Sequence, residues 1–485
     1  MNRPALAVLL ALGLAAGGCG GGQRKDDSPV VVSAIGGEAR LADPSAGPLD
    51  PAERVLMGAT AQGLVRFDAA GQIEPGLAER WIVIDDGRSY IFRLREAYWP
   101  DGAPVTAAQV IRVLRRAAAP DGRNPLAPFL TVIDEIVEMT PTVIEVRLKR
   151  PRPDLLKLFA QPELAVFRTG TLDGSGPFLA RKIPHGFLLR PAPDPARQDN
   201  ATPEPEETVQ LYGERAALAL ARFKAGESDM ILGGTFADWP LLEPAKVAPA
   251  NLHVDHAIGL FGLAMVHRRD FLADAANRAA IAMAIDRAAL TQQLDADWAP
   301  METLLPSKID SAAPPAQPSW WTAPIEARRE TARARVAGWR QAHPEPLTLR
   351  IALPPGPGAT LVWAHLALAM QRIGIEPRRV GIADPADLRL IDAVAPYDSG
   401  RWFLNTACIA CSDEARALID AARDAPDLAA RAQRIAEADA ALTADSSYIP
   451  IAQPLRWSLV ALRLDAWQRN TRAWHPLNHL RNETE

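Results

Sequence analysis

Two cysteines near the C-terminal end of the chain have a spacing that suits chemistry. Cys408 and Cys411 form a CxxC motif within TACIACSDE. In an exported protein such a pair is a local disulfide, a redox-active dithiol, half of a metal site or two free thiols. No thioredoxin-like pattern surrounds the motif, and no second ligand pair has a matching spacing. A structural disulfide is therefore the favoured interpretation, and the other three stay open.

Other residues that could ligate a metal or transfer protons are arranged less favourably. They are His253 with His256, His475 with His479, and Asp85 with Asp86. Histidines three apart on a strand face opposite sides of it, and adjacent carboxylates before a glycine are typical of a solvated turn. The chain has no GxSxG, HExxH, GxGxxG or phosphate-binding loop motif. We therefore expect no metal, no cofactor and no enzymatic activity.

Length and composition indicate a large protein of mixed α/β class. The chain has 485 residues, which favours more than one domain. Its 43 prolines, roughly twice the average usage, divide it into short elements and stiff loops. Its net charge is −5 and its basic residues are scattered, so a nucleic-acid partner is not expected.

The N-terminal sequence is typical of an export signal. A short apolar run precedes Ala16-Gly17-Gly18-Cys19 and is too short to span a bilayer as a mature helix. The run resembles a bacterial lipoprotein signal, although Ala16 stands where Leu is usual. We predict a signal peptide over 1–18, a lipid on Cys19 and a flexible tether over 19–29. The alternative is an ordinary signal peptide with Cys19 incidental.

The stretch YWPDGAPVTAAQV, residues 98–110, predicts a strand end, a turn and a capped helix. Asp101-Gly102 is a pair typical of a turn. The Thr106 hydroxyl can accept a backbone N–H that has no partner within the helix starting at Ala107. A hairpin is predicted before it, with Asp86-Gly87 as its turn. Further along, NRAAIAMAIDRAAL, residues 277–290, is predicted as one buried helix.

These motifs together resemble family 5 of the bacterial extracellular solute-binding proteins, which serve ABC importers of oligopeptides, dipeptides and nickel. The matching pieces are Pro75-Gly76-Leu77-Ala78-Glu79-Arg80-Trp81, Phe92-Arg93-Leu94-Arg95, Trp99-Pro100-Asp101-Gly102-Ala103-Pro104-Val105-Thr106-Ala107 and Gly174-Ser175-Gly176-Pro177-Phe178. The resemblance runs in order through most of residues 30–475. One departure is Gln109, where the family usually has Asp.

The resemblance implies a two-lobed periplasmic binding protein-like fold (type II, cluster C-like) with an extra hairpin-rich subdomain. Lobe I is expected to comprise 30–258 and 448–485, with the inserted subdomain at about 54–171. Lobe II is expected to comprise 259–447. Such lobes close on a ligand by hinge motion.

The ligand cleft implied by the resemblance is expected to be lined by aromatic and charged side chains. The candidates are Tyr397, Asp398, Arg401 and Trp402 from lobe II, with Phe261 and Trp239 nearer the hinge. In the peptide-binding branch an Asp pairs with the ligand's α-amine, and here that position falls on Pro396. Asp392 or Asp398 would have to substitute for it.

The function that the resemblance implies is that of a lipid-anchored, monomeric substrate-binding protein of an ABC importer in the periplasm. Its partners would be permease subunits, the membrane through the lipid anchor, and a peptide or similar small solute. An alternative is a lipoprotein of the same fold with a structural or sensing role. A redox lipoprotein that uses Cys408 and Cys411 is the third interpretation.

Overall fold

A computed structural model describes residues 24–193 and 203–481. In chain order the strands β1 to β18 are Val30–Ile35, Val65–Phe67, Ile73–Pro75, Ala78–Ile84, Ser89–Leu94, Ile133–Thr140, Val143–Leu148, Phe178–Ile183, Gly186–Pro191, Val209–Glu214, Met230–Thr235, Leu252–Asp255, Gly259–Met265, Thr348–Leu353, Glu376–Gly381, Leu388–Val394, Tyr448–Ala452 and Arg456–Val460. The helices α1 to α13 are Pro51–Thr60, Ala107–Ala117, Ala127–Leu130, Leu155–Phe159, Ala216–Lys224, Leu242–Ala245, Ala275–Ala284, Arg287–Leu294, Ile325–Ala342, Pro357–Arg372, Gly400–Ala407, Asp413–Asp424 and Leu428–Asp445.

The first lobe is built on a seven-stranded sheet with the order β12-β18-β11-β1-β10-β9-β8. Strand β1, whose sequence is VVVSAI, is buried along its whole length and pairs in parallel with both β10 and β11. A run of small and mostly β-branched residues suits such a central position, because both faces of the strand are covered. The sheet joins strands from the N-terminal and C-terminal parts of the described chain, β1 and β18.

The second lobe is built on a five-stranded sheet with the order β15-β14-β16-β13-β17. Strand β17 pairs antiparallel with β13, so residues 448–452 belong to this sheet. The expected return to lobe I at residue 448 therefore needs correction, because the chain crosses back only between β17 and β18, at 453–455. The outward crossing lies between β12 and β13, at 256–258.

The inserted subdomain contains a four-stranded antiparallel sheet with the order β4-β5-β7-β6. Helix α2 lies between β5 and β6 in the chain and begins where the sequence predicts, with the Thr106 hydroxyl accepting the backbone N–H of Gln109. The Gln109 side chain in turn accepts the backbone N–H of Thr106 and the indole N–H of Trp99. The amide thus completes the capping box and links it to the turn.

The helix predicted over residues 277–290 is divided in two. Helix α7 ends at Ala284, and Ile285 and Asp286 have extended backbone angles. The Asp286 carboxylate then accepts the backbone N–H of Ala289 and caps α8. An aspartate between two apolar helical runs is an N-cap signal, which explains why the prediction of one helix is wrong.

Lobe II contains a buried carboxyl with an incomplete set of partners. One oxygen of Asp439 accepts the backbone N–H of Ala316 at 2.7 Å, and the other has no partner among the described residues. Burial raises the pKa of this carboxyl to about 6, from an ordinary value of 3.8. The folded state therefore holds the Asp439 proton more tightly than the unfolded state does. The resulting contribution to stability is fully present below pH 3.8 and is lost as the pH rises through about 6.

We expect Asp439→Asn to raise the free energy of unfolding at pH 7.5 by about 1 to 3 kcal/mol, since it removes the cost of ionising a buried acid. At pH 3.5 the two proteins should be equally stable, because both side chains are then neutral. Urea unfolding at the two pH values measures the difference. A gain of equal size at both pH values would contradict this explanation.

Within the described residues, no helix is long and apolar enough to cross a membrane. The predicted signal peptide and the lipid-bearing Cys19 lie outside the described residues, so the structure does not bear on either.

Candidate functional site

A cavity of about 130 Å³ lies where the inserted subdomain meets lobe II. Its subdomain wall is formed by Phe129, Thr131, Val132, Arg152, Pro153, Asp154, Leu155 and Leu158. Its lobe II wall is formed by Asp310, Tyr397, Ser399, Arg401, Arg423, Leu428 and Arg431. The combination of apolar side chains with a few convergent charged groups is typical of small-molecule sites.

Two short helices of the subdomain and three helices of lobe II, α11, α12 and α13, position most of these side chains. Phe129 lies on α3 and Leu155 begins α4, whereas Arg401 lies in the first turn of α11. The rings of Phe129 and Tyr397 meet edge to face across the boundary, with centroids 5.7 Å apart. Aromatic pairs favour this geometry, so the contact holds the two walls in register.

Arg401 is 6% exposed and has few partners. One terminal N–H reaches the carbonyl of Pro128 at 3.5 Å, and the guanidinium lies 5.7 Å from the Phe129 ring centroid. Its Nε–H is buried and donates to no acceptor in the described part of the chain. Burial lowers the pKa of Arg401. The cavity thus holds a charged group whose hydrogen bonds are incomplete.

Arg152 approaches the cavity from the subdomain side. Its guanidinium donates to the carbonyl of Pro151 at 2.5 Å and to that of Arg423 at 2.6 Å, which is a contact between subdomain and lobe II. Among the described residues it forms no ion pair with a carboxylate. Burial, together with neighbouring arginines, lowers the pKa of Arg152 to about 10.

The other two arginines of the cavity have carboxylate partners. Arg431 donates to Asp310 at 3.1 Å and to the hydroxyl of Ser399 at 2.5 Å. Arg423 pairs with Asp420 at 3.0 Å and with Asp424 at 2.8 Å. These two guanidiniums therefore form ion pairs within the protein. Arg152 and Arg401 form none with the described residues.

Both carboxylates that were expected to replace the missing amine-binding Asp are already paired. Asp398 is bound by Lys157 and by Arg472, and Asp392 pairs with Arg456 at 2.8 Å. Pro396 contributes only its carbonyl, which accepts a hydrogen bond from the side chain of Gln161 at 2.6 Å. None of these groups is free to hold a ligand amine.

The structure brings together only part of the predicted site. Tyr397 and Arg401 line the cavity, and Asp398 lies beside it in the contact with Lys157. Trp402 is buried behind them, edge to face with Phe403 at 4.9 Å.

The two residues predicted nearer the hinge lie away from the cavity. Phe261 is 0% exposed in the core of lobe II, 4.8 Å from the ring centroids of both Phe236 and Trp298. Trp239 is partly buried and packs against the hydrophobic clusters of both lobes. The predicted ligand contacts of these two residues stay predictions.

The cysteines and histidines lie apart from the cavity lining. The structure joins Cys408 to Cys411 as a disulfide just after α11. His475 is buried and pairs with Asp255 at 3.0 Å. Among residues 24–193 and 203–481, no group of three or more His, Cys, Asp or Glu side chains could hold a metal ion.

Residues 72–376 match the family model described as bacterial extracellular solute-binding proteins, family 5 Middle. The probable deoxycholate-binding periplasmic protein YgiS of Escherichia coli is 40% identical over 92 residues, 17% of each chain. The periplasmic oligopeptide-binding protein OppA of the same organism is 24% identical over 325 residues, 60% of this chain and 59% of that one. The matched stretches thus span less than two thirds of these relatives.

The fold is similar to that of a solved structure along nearly its whole length. Haemophilus influenzae OppA in complex with RPPGFSPFR superposes with a TM-score of 0.79 at 19% identity, covering 93% of this chain and 99% of that one. The two-lobed periplasmic binding protein-like fold predicted from the sequence is confirmed.

Proposed function

We propose that this chain, which belongs to family 5 of the bacterial extracellular solute-binding proteins, is the substrate-binding subunit of an ABC importer. As a member of that family it is a binding protein and not an enzyme. The observation that carries the proposal is the cavity between the subdomain and lobe II, where charged and aromatic side chains from both parts converge. Its ligand would be a peptide or a similar small solute, as the name of OppA suggests.

The proposed mechanism is capture by hinge closure. The chain crosses between the two large sheets at only two places in the described residues, 256–258 and 453–455, and two short connections suit a hinge. Ionic contacts join the subdomain to lobe II: Lys157 binds Asp398, and Arg150 lies 3.3 Å from Asp424. Contacts of this kind would form on closure and help to hold the closed state.

The proposed location is the periplasm, with a lipid on Cys19 as the membrane anchor. The sequence Ala16-Gly17-Gly18-Cys19 and the periplasmic relatives support this location. Cys19→Ser should abolish labelling with radioactive palmitate and release the protein from the membrane fraction. Labelling that persists in the variant would contradict the anchor.

An importer subunit should bind a solute and become more compact. We would purify the full chain gently from its own host and examine it by native mass spectrometry. A reproducible extra mass that leaves on denaturation is the expected result, with a smaller radius of gyration in X-ray scattering once the ligand is added back.

Pro396 at the position of the amine-binding Asp favours the alternative, a lipoprotein with a structural or sensing role. A structural role predicts no bound solute from any growth condition.

A further inference from the structure

We infer that the solute is a compact organic anion whose oxyanion group, a carboxylate or a phosphate, bridges the guanidinium groups of Arg152 and Arg401. This inference rests on the proposed binding function and names the chemical class of its ligand. The two arginines face the same cavity from opposite walls, one from the subdomain and one from lobe II. A ligand that bridges them would link the two parts that closure brings together.

The main observation is that neither guanidinium forms a direct ion pair with a carboxylate of residues 24–193 or 203–481. Arg401 is 94% buried, its Nε–H has no acceptor among the described residues, and its polar contact there is a 3.5 Å approach to the Pro128 carbonyl. Arg152 is partly buried and donates to two backbone carbonyls. Burying a guanidinium without a carboxylate is costly, so such a group calls for a charge from outside.

The cavity as a whole has an excess of positive charge. Four arginines line it against two carboxylates, Asp154 and Asp310. Asp310 is already paired with Arg431, and Asp154 lies 4.0 Å from Lys157. In the part of the chain that the structure describes, Asp420 and Asp424 act on Arg401 from a distance, but neither Arg152 nor Arg401 has a carboxylate in direct contact. The ligand that complements these two guanidiniums is therefore an anion.

The chemistry of arginine and of the cavity walls further narrows the chemical class of the ligand. The planar guanidinium fork matches the oxygen pairs of carboxylate and phosphate groups, to which it donates two parallel hydrogen bonds. Phe129, Leu155 and Leu428 form apolar wall beside the arginines. At about 130 Å³ the cavity has room for an oxyanion and a small apolar portion, and not for a long extended chain. Since Asp398 and Asp392 are engaged, an amino group on the ligand is not required.

A binding experiment tests the class of ligand. A small-molecule extract of the host is divided on an anion-exchange resin at pH 8 into a retained anionic pool and a flow-through pool. Each pool is added to the full chain in mild detergent, and bound mass is read by native mass spectrometry. We expect a ligand from the anionic pool, with an affinity about 10- to 100-fold weaker in Arg401→Met and in Arg152→Met. Phosphatase treatment of the pool distinguishes a phosphate ligand from a carboxylate.

The outcomes separate this inference from the proposed function. A ligand taken only from the flow-through pool would leave the binding function intact and overturn the inference that the ligand is an anion. An anionic ligand that binds both variants as tightly as the wild type would overturn the role of the two arginines. No ligand from either pool would overturn the proposed function and, with it, this inference.

A second measurement needs no ligand. If Arg401 serves a ligand, its charge is an uncompensated cost in the empty protein, and Arg401→Met should raise the melting temperature of the ligand-free chain by about 1 to 3 °C. The matched control is Arg434→Met on α13, since Arg434 is exposed and pairs with Glu437, so a shift below about 1 °C is expected. A lower melting temperature for Arg401→Met would show a structural arginine and contradict the inference.

Discussion

Replacing Asp445 with alanine is expected to lower the free energy of unfolding by about 3 to 5 kcal/mol. Asp445 accepts a 2.6 Å hydrogen bond from Arg278, whose side chain is 0% exposed. The Asp445 carbonyl accepts a second bond from the same guanidinium, and the carbonyls of Leu272 and Ala273 accept two more. The substitution leaves the guanidinium with its carbonyl partners and without the carboxylate in direct contact, while Asp274 acts on it from further away. Urea unfolding followed by tryptophan fluorescence measures the loss.

A matched control uses the second cation of the same carboxylate. Arg268 binds Asp445 at 2.5 Å, but its side chain is 29% exposed and water can replace the partner. Arg268→Ala should therefore cost below about 1 kcal/mol. If Asp445→Ala were as mild as Arg268→Ala, the buried pair would not be important for the stability of lobe II.

Phe261→Ala is expected to lower the free energy of unfolding by about 3 to 5 kcal/mol. The ring is fully buried on strand β13 and meets Phe236 and Trp298 edge to face. Removing it leaves a cavity between the β13 strand and two aromatic side chains, which the rigid sheet cannot close. The same urea titration measures the change.

Phe261→Leu distinguishes a core role from the ligand contact predicted from the sequence. Leucine keeps most of the apolar volume, so the core role predicts a loss of about 1 kcal/mol. A ligand contact predicts the opposite pattern, with weaker solute binding and little change in stability for Phe261→Ala. That pattern would show that the cleft reaches this strand.

The local signals in the sequence predicted the scaffold well because they depend on neighbouring residues. The Asp101-Gly102 turn and the Thr106 cap lie where the sequence places them, and Gln109, at the position where the family usually has Asp, completes the capping box. The prediction of a single helix over 277–290 was wrong for an equally local reason, since the Asp286 side chain caps a second helix, α8. Helix boundaries are thus readable wherever a side chain bonds to the backbone nearby.

The site was only half predictable, because its two walls are far apart in the sequence. Tyr397 and Arg401 come from the segment that the family resemblance indicated. Arg152 and Phe129 come from the subdomain, about 250 residues earlier, and the run Arg-Pro-Arg-Pro-Asp at 150–154 has no spacing that singles out a ligand contact. The pairing of Asp398 with Lys157 is likewise a long-range contact that no local pattern reveals.

The central claim is that a solute binds between the subdomain and lobe II and draws them together. Hydrogen–deuterium exchange of the full chain, with and without the anionic pool, tests it most directly. We predict slower exchange confined to the segments that carry the two walls of the cavity, namely 127–132, 150–159, 397–404 and 423–431, and to the residues around Asp310. Protection elsewhere, or exchange unchanged in all of these segments while the ligand is bound, would contradict the claim.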